Sequence, residues 1–301
     1  MKTRSSPSRL TPVGALRPQA TRRSGGKGGQ PRRSSSDRGW KPPRFNAPHR
    51  SPTLHQPAVS SSPPKPLAHR LKDRFFDEAD HPYVYFEKKV REVLRPEHLL
   101  VEPGCGRFAE VIRKFQGEAR ELVGIDPVDF EEESFGTGVR IVRGTLDATG
   151  LEPDSVDTMI SRALMEHIEH PDRVFAEIAR VLKPGGAYVF LAPNLGDYTA
   201  LAAKLIPNGL HPWVVEKLEG RNPKDTFPAY FRCNTKGSLK RLCRTNQLQL
   251  ESVEYLGQYP SYFLFNAPLF LLGTAYEKLI SSTDLLGFLR GWMLVVIRKP
   301  A

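Results

Sequence analysis

Two acidic residues and two glycines have the types and spacing of a nucleotide-binding site. Glu102, Gly104 and Gly106 are closely spaced, and Asp126 follows about 20 residues later. Glycine lets the backbone turn tightly and approach a ligand that a Cβ would obstruct. A carboxylate at the end of a strand can accept hydrogen bonds from ribose hydroxyls. These residues therefore predict a site for a nucleotide-containing cofactor.

His167 is the candidate general base of the chain. Histidine ordinarily titrates near neutral pH, so an imidazole suits removal of a proton from an oxygen nucleophile. The alternative is a histidine that only packs or hydrogen-bonds structurally. His81, His170 and His211 are weaker candidates, and the sequence shows no cluster with metal-ligand spacing.

A strand, a turn, a helix and a second strand are needed to position the acidic residues. The runs 99–101 and 122–125 are short and apolar, which is typical of buried parallel strands. Between them, apolar residues at helical spacing predict a helix that opens at the glycine turn: Ala109, Val111, Ile112 and Phe115. The sequence thus predicts a nucleotide-binding βαβ unit.

Two cofactor classes use such a unit. The run from Gly104 to Ala109 fits the dinucleotide fingerprint G-x-G-x-x-G/A. Glu102, two residues before the first glycine, instead gives an acidic-x-Gly-x-Gly pattern that resembles class I S-adenosylmethionine-dependent methyltransferases. Phe108 departs from that family, in which a third glycine is common at this position.

Downstream blocks decide between the two classes. Leu164-Met-Glu-His-Ile168 and Arg180-Val-Leu-Lys-Pro-Gly-Gly186 resemble the same methyltransferases and have no counterpart in nicotinamide dehydrogenases. The resemblance covers roughly residues 80–195. It implies a doubly wound, Rossmann-like α/β fold, with helices on both faces of a mostly parallel seven-stranded sheet.

The resemblance also implies S-adenosyl-L-methionine as cofactor and a set of contacts to it. Thr145 stands where the family commonly has an aspartate near the adenine, and Asp147 is the candidate replacement. The expected cofactor-binding residues are Glu102, Gly104, Cys105, Gly106, Asp126, Pro127, Thr145, Leu146, Asp147 and Ser161.

Residues 1–70 differ in composition from the rest of the chain. They contain 15 Lys and Arg residues and one acid, Asp37, whereas the whole chain contains 44 basic and 33 acidic residues. Residues 71–301 are therefore slightly acidic, with 29 basic and 32 acidic residues. The positive net charge of the chain consequently gives no support for specific nucleic-acid binding by the folded part.

The same segment is rich in Ser, Pro, Gly and Arg and lacks apolar clusters, so it is predicted to be disordered. A tail without a specific role, an organellar transit peptide and a nonspecific arm for anionic partners all remain open. We expect a cytoplasmic protein, or an organellar one if the segment is a transit peptide. Cys105, Cys233 and Cys243 are expected to be reduced thiols.

Other helices are expected over 82–94, from Pro171, over 197–205 and after Thr235. Further strands are expected over 139–142, 158–161, 188–191, 248–255 and, antiparallel, 292–297. Residues 131–133 are expected in a loop, and 207–228, with His211 and Trp213, in a lid or binding loop.

The stretch 255–276 has 22 residues without a charge and begins a hydrophobic insertion that extends to about residue 281. A transmembrane helix, a core or dimer-packing element and a hydrophobic cap over the acceptor site are three interpretations. The cap would use Phe263, Phe265, Leu269, Phe270 and Leu272.

We therefore expect one methyltransferase domain over residues 71–301. Its acceptor is expected to be a small molecule that is apolar or lipid-like and is methylated on oxygen. A peripheral contact with a membrane would let the protein bind such an acceptor from the membrane surface. The alternative is a binding or scaffold module that has lost turnover. The sequence does not identify the acceptor or the oligomeric state.

Overall fold

The computed structural model of the chain describes residues 65–128, 130, 138–205 and 227–301. Within these ranges seven strands form one sheet in the order β3-β2-β1-β4-β5-β7-β6. The strands are β1 (Leu99–Pro103), β2 (Glu121–Asp126), β3 (Val139–Arg143), β4 (Val156–Arg162), β5 (Leu182–Pro193), β6 (Gln249–Leu256) and β7 (Trp292–Arg298). Strand β7 is antiparallel to both neighbours, and β1 to β5 are parallel. The predicted doubly wound, mostly parallel sheet is confirmed.

Six α-helices accompany the sheet in the described ranges. They are α1 (Leu67–Phe75), α2 (Pro82–Val93), α3 (Pro171–Val181), α4 (Tyr198–Leu205), α5 (Lys236–Thr245) and α6 (Ala267–Ser281). The side chain of Thr235 caps α5 by accepting the Ser238 N–H at 3.2 Å. One face of the sheet is covered by the apolar sides of α3 and α5, and the other by α2 and the segment after β1.

The prediction of a helix that opens at the glycine turn is wrong. Only a short 3-10 helix forms there, Ile112–Phe115, and residues 104–111 make turns. Ala109 adopts a left-handed backbone conformation, with φ of 45°, which no continuous α-helix tolerates. The apolar spacing was satisfied nevertheless, because Ile112 and Phe115 are buried against the sheet.

The domain begins earlier than residue 71. Helix α1 starts at Leu67, where its Ala68 is buried, and it packs against α6. That partner is distant in sequence, so local composition did not reveal it. Residues 1–64 of the predicted disordered tail lie outside the described residues, as do 131–133 and most of the predicted lid, including His211 and Trp213.

The connection from β6 to β7, residues 257–291, is called the insertion below. It contains α6 and two 3-10 turns, Ser261–Phe263 and Asp284–Leu289. In the described part of the chain, no helix has both the length and the apolar character needed to cross a bilayer. Phe270 is fully buried and its ring lies 6.3 Å from that of Phe76, so it belongs to the packed interior rather than to an exposed cap.

The insertion is fixed to the carboxyl end of β5. The side-chain amide of Asn194 donates to the carbonyl oxygens of Phe288 (2.7 Å) and Arg290 (2.8 Å). A Cβ on Gly196 would lie 2.2 Å from the Phe288 oxygen, so only glycine allows this approach. The insertion therefore lies at the sheet edge where ligands bind in open α/β folds.

Candidate active site

Asp126, the last residue of β2, is bonded to the glycine turn after β1. Its Oδ2 accepts the Gly106 N–H at 2.8 Å, and its Oδ1 accepts the Val128 N–H at 3.1 Å. An ionised carboxylate has about four lone-pair sites, so each oxygen can still accept a ligand hydroxyl. The structure thus brings together two residues that the sequence predicted for the cofactor.

The glycine turn itself is tightly packed. Gly104 has φ of 72°, its N–H donates to the Ile125 carbonyl at 2.7 Å, and a Cβ there would collide with Leu164. Cys105 is buried behind the turn. Phe108 is 55% exposed, so this departure from the family pattern does not fill the turn.

Glu102 lies at the base of the same turn. Its Oε2 accepts the Ile112 N–H at 2.9 Å, in a site where the side chain is almost fully buried. Burial raises the pKa of Glu102 to about 8, with Asp126 adding to the rise and Arg162 opposing it. This carboxyl therefore joins the end of β1 to the start of the 3-10 helix Ile112–Phe115.

The block after β3 meets Asp126 at the same edge. The Gly144 N–H donates to the Asp126 carbonyl at 3.2 Å. Thr145 Oγ1 donates to Asp147 Oδ1 at 2.6 Å. Thr145 occupies the position at which the family commonly has an aspartate, and Asp147 is the predicted functional replacement for that aspartate. Leu146 is buried between these exposed neighbours. Pro127 directly follows Asp126 at this edge.

Ser161 is placed differently from the others. Its hydroxyl lies 2.6 Å from the Tyr188 hydroxyl, which in turn lies 3.4 Å from Met165 Sδ. All three side chains are fully buried in the core. The Ser161 hydroxyl is therefore engaged within the core, which does not support a side-chain contact with the cofactor.

His167 contacts Phe227 and Pro228, at the beginning of the last described range. Its Nδ1 lies 2.8 Å from the Pro228 carbonyl oxygen, and its ring lies 6.0 Å from that of Phe227. A carbonyl only accepts, so Nδ1 carries a hydrogen, and Nε2 lies 3.9 Å from Oε1 of Glu166. The backbone carbonyl of Glu166 also accepts the Tyr230 N–H at 2.7 Å. The contacts fit the structural interpretation of this histidine and leave its role as a base a prediction.

Residues 101–190 match the family model described as a methyltransferase domain. This match and the strand order make residues 101–190 similar to class I S-adenosylmethionine-dependent methyltransferases. It is 28% identical over 162 residues to a ubiquinone biosynthesis O-methyltransferase from Hahella chejuensis (strain KCTC 2396). That match covers 50% of this chain and 64% of the relative, so the chain spans less than two thirds of that protein.

A solved structure shows the same fold. A chain of the Haloferax volcanii complex that contains the Trm112 methyltransferase activator aligns with a TM-score of 0.50 at 16% identity. The alignment covers 78% of this chain and 94% of that chain. Class I methyltransferases use S-adenosyl-L-methionine, so the methyltransferase-domain match at residues 101–190 favours this cofactor over a dinucleotide.

The residues at the sheet edge fit this cofactor. The turn at Gly106 has no Cβ and nothing within 4 Å of where one would lie, which leaves room for close approach of a ligand. The Asp126 oxygens retain acceptor capacity for ribose hydroxyls. Among the described residues, no group of three or more His, Cys, Asp or Glu side chains is arranged to hold a metal ion.

An aromatic and cationic cluster that the sequence did not predict lies beside this site. Arg162 ends β4, and its guanidinium lies 4.1 Å from the centre of the Tyr83 ring at the start of α2. The Tyr83 ring contacts His81 at 4.5 Å and Trp292 at 5.7 Å. The available signal was a charged residue at the end of a predicted parallel strand, which places it at the ligand edge.

Proposed function

We propose that the chain is an active methyltransferase that transfers a methyl group from S-adenosyl-L-methionine to the oxygen of a small, apolar or lipid-like acceptor. The main support for this proposal comes from the insertion, which lies at the carboxyl end of β5 and exposes large apolar side chains. Phe265 is 74% exposed, Leu272 70% and Leu285 84%. Such a surface is more than a solvent-facing segment needs, and it suits contact with an apolar ligand or a membrane surface.

The name of the relative supports oxygen as the methylated atom. The Hahella chejuensis protein is named for oxygen methylation in ubiquinone biosynthesis. For this chain, oxygen as the acceptor atom is part of the proposal.

The chain's own residues have three tasks in this reaction. The cofactor, when bound, supplies an electrophilic methyl group on a positively charged sulfur. The glycine turn at Gly104 and Gly106 and the carboxylate of Asp126 hold and orient it, and the block containing Leu146 lies beside Asp126. The remaining tasks are to hold the acceptor oxygen in line with the methyl group, away from water, and to accept the proton that this oxygen loses.

Transfer to extracted metabolites tests this proposal. The full chain is incubated with methyl-labelled S-adenosyl-L-methionine and either the organic-solvent extract or the aqueous extract of cells. We expect label to appear in a product of the organic extract. Label transferred only to the aqueous extract would contradict the apolar acceptor. Cofactor binding without transfer to either extract would favour the non-catalytic alternative.

A further inference from the structure

Arg162 is a cation at the ligand edge of the sheet. It is the last residue of β4, and its side chain is half-buried. Its guanidinium lies 4.1 Å from the centre of the Tyr83 ring, and within the described ranges its side chain forms no ion pair and no hydrogen bond. A guanidinium has five N–H donors, so a half-buried one with none of them engaged points to an anionic partner from outside the chain.

The carboxyl of Glu102 does not balance the charge of Arg162. Burial raises the pKa of Glu102 to about 8, and the attraction of Arg162 only opposes that rise. A carboxyl with such a pKa is mostly neutral at pH 7. Its Oε2 is also engaged, since it accepts the Ile112 N–H at 2.9 Å. The positive charge of Arg162 is therefore available to a ligand.

An aromatic cluster, rather than an acid, holds the guanidinium. Tyr83 lies at the start of α2, and its ring is edge-to-face with the rings of His81 at 4.5 Å and Trp292 at 5.7 Å. A cation is attracted to the face of an aromatic ring without the use of its N–H donors. The contact with Tyr83 thus positions Arg162 and leaves those donors for a ligand.

The strand order places Arg162 in line with the predicted cofactor contacts. Strand β1 lies between β2 and β4 and is parallel to both. Asp126, the glycine turn and Arg162 therefore follow the carboxyl ends of three adjacent strands. Two strand spacings separate Asp126 from Arg162, which is roughly 10 Å along the edge. A cofactor with its ribose at Asp126 and its methionine part across the turn would bring its carboxylate to the end of β4.

We propose that the guanidinium of Arg162 binds the methionine carboxylate of S-adenosyl-L-methionine, and that the Tyr83 ring positions the guanidinium. The proposal rests on the proposed function and adds to its cofactor site two residues that the sequence did not predict. The planar fork of an arginine can donate two parallel hydrogen bonds to a carboxylate. A carboxylate held in this way fixes the methionine part, and with it the methyl group, relative to the sheet edge.

Two probes isolate the carboxylate. S-adenosyl-L-homocysteine carries the carboxylate of the cofactor but no methyl group to transfer, and in its decarboxylated analogue a hydrogen replaces the carboxylate. Binding of both probes to the full chain is measured calorimetrically at about pH 7.5, where the carboxylate is ionised. We expect the natural chain to bind the first probe about 10-fold more tightly or better, because the analogue loses a charge-assisted hydrogen bond.

Variants of the two residues should change this preference in different ways. Arg162→Gln should lower it to below about 3-fold while binding the analogue as the natural chain does. Arg162→Lys, which keeps the charge without the fork, should give an intermediate preference and decides the matter if Arg162→Gln does not fold. Tyr83→Ala should lower the preference by about 3-fold, and Tyr83→Phe should retain it. Arg143→Gln is the matched control, because Arg143 ends β3 at the same edge, and it should keep the full preference.

Equal binding of the two probes to the natural chain, or absence of binding, would overturn the proposal. An unchanged preference in Arg162→Gln would show that another residue binds the carboxylate. Equal weakening of both probes would give Arg162 a structural role only. An unchanged preference combined with reduced methyl transfer to cell extracts would assign Arg162 to an anionic group of the acceptor and overturn the cofactor assignment. Since the binding measurements involve no methyl transfer, an inactive chain that retains the preference would contradict only the proposed function.

Discussion

The Asp126 carboxylate accepts the backbone N–H of Gly106 at 2.8 Å, which joins the end of β2 to the turn that follows β1. The bond fixes two predicted cofactor contacts relative to each other before any ligand binds. Preorganisation of this kind reduces the ordering cost of binding. In our proposal, the Asp126 carboxylate therefore accepts hydrogen bonds both from the Gly106 N–H and from the ribose hydroxyls of the cofactor.

Asp126→Ala should weaken S-adenosyl-L-methionine binding by about 1.5–3 kcal/mol, because a charge-assisted hydrogen bond is lost. Asp126→Asn should give a smaller loss, since the amide oxygen can still accept the Gly106 N–H. Isothermal titration calorimetry measures both, with exposed Asp172→Ala on α3 as control. Unchanged affinity in Asp126→Ala would contradict the ribose assignment.

The centre of the sheet could be predicted from the sequence because β1, β2 and β4 contain short apolar runs. The placement of Asp126 and the glycine turn in one site also followed, since the carboxyl ends of parallel strands share one edge, but the hydrogen bond between them was not predicted. The 3-10 helix at Ile112–Phe115 did not follow. Its apolar spacing resembles that of an α-helix, and the left-handed Ala109 that interrupts it leaves no signal in a residue type.

Glu277 and Arg162 could not be assigned from sequence for a different reason. Their roles depend on tertiary partners: α1 and the end of β6 enclose Glu277, and Tyr83 of α2 lies under Arg162. A glutamate within an apolar helix predicts a surface position by default. Only the packing of α6 places it inside.

Stability should fall as pH rises because of Glu277. Burial raises its pKa from the usual 4.5 to about 7, and Asp197 adds to the rise. Between these values the folded chain binds more protons than the unfolded chain, so the free energy of unfolding decreases with pH by about 3 kcal/mol. Glu102 acts in the same direction up to about pH 8. The two contributions must therefore be separated by mutation.

Glu277→Gln should remove the first contribution. Denaturant unfolding at pH 4.5 should give similar stabilities for the natural chain and the variant. At pH 8 the variant should be more stable, by at most about 3 kcal/mol. Exposed Glu251→Gln should retain the natural pH dependence. Parallel pH profiles for the natural chain and Glu277→Gln would show that Glu277 is not desolvated.

The exposed and the buried apolar residues of the insertion should respond differently to serine. The double variant Phe265→Ser and Leu272→Ser should change the free energy of unfolding by less than about 0.5 kcal/mol per site. It should also lower the fraction of the protein that sediments with phosphatidylcholine vesicles. Phe270→Ser should instead lower the free energy of unfolding by about 3–5 kcal/mol, because a buried ring is lost. Vesicle sedimentation equal to that of the natural chain in the double variant would contradict a membrane-contacting surface.

Deletion of residues 1–64 should leave the melting temperature and cofactor affinity unchanged, because their composition cannot supply packed apolar area. Deletion of residues 1–75 should lower the melting temperature, since it removes α1 from its contact with α6. Differential scanning calorimetry compares the two chains. A large loss of stability in the shorter deletion would show that the tail contributes to the fold.

His167 can be tested with a substitution that keeps its contact to the backbone. The amide nitrogen of His167→Asn can still donate to the Pro228 carbonyl, whereas His167→Ala loses that hydrogen bond. If the residue is an anchor, the alanine variant should lose about 1 kcal/mol of stability and the asparagine variant should recover most of it. We expect this result, with kcat of the asparagine variant within about 3-fold of the natural value, since a base contributes a larger factor.

A fall in kcat of about 100-fold or more at unchanged melting temperature and cofactor affinity would instead identify His167 as the general base. Because Nδ1 is bonded to the Pro228 carbonyl, Nε2 would then be the atom that takes the acceptor proton.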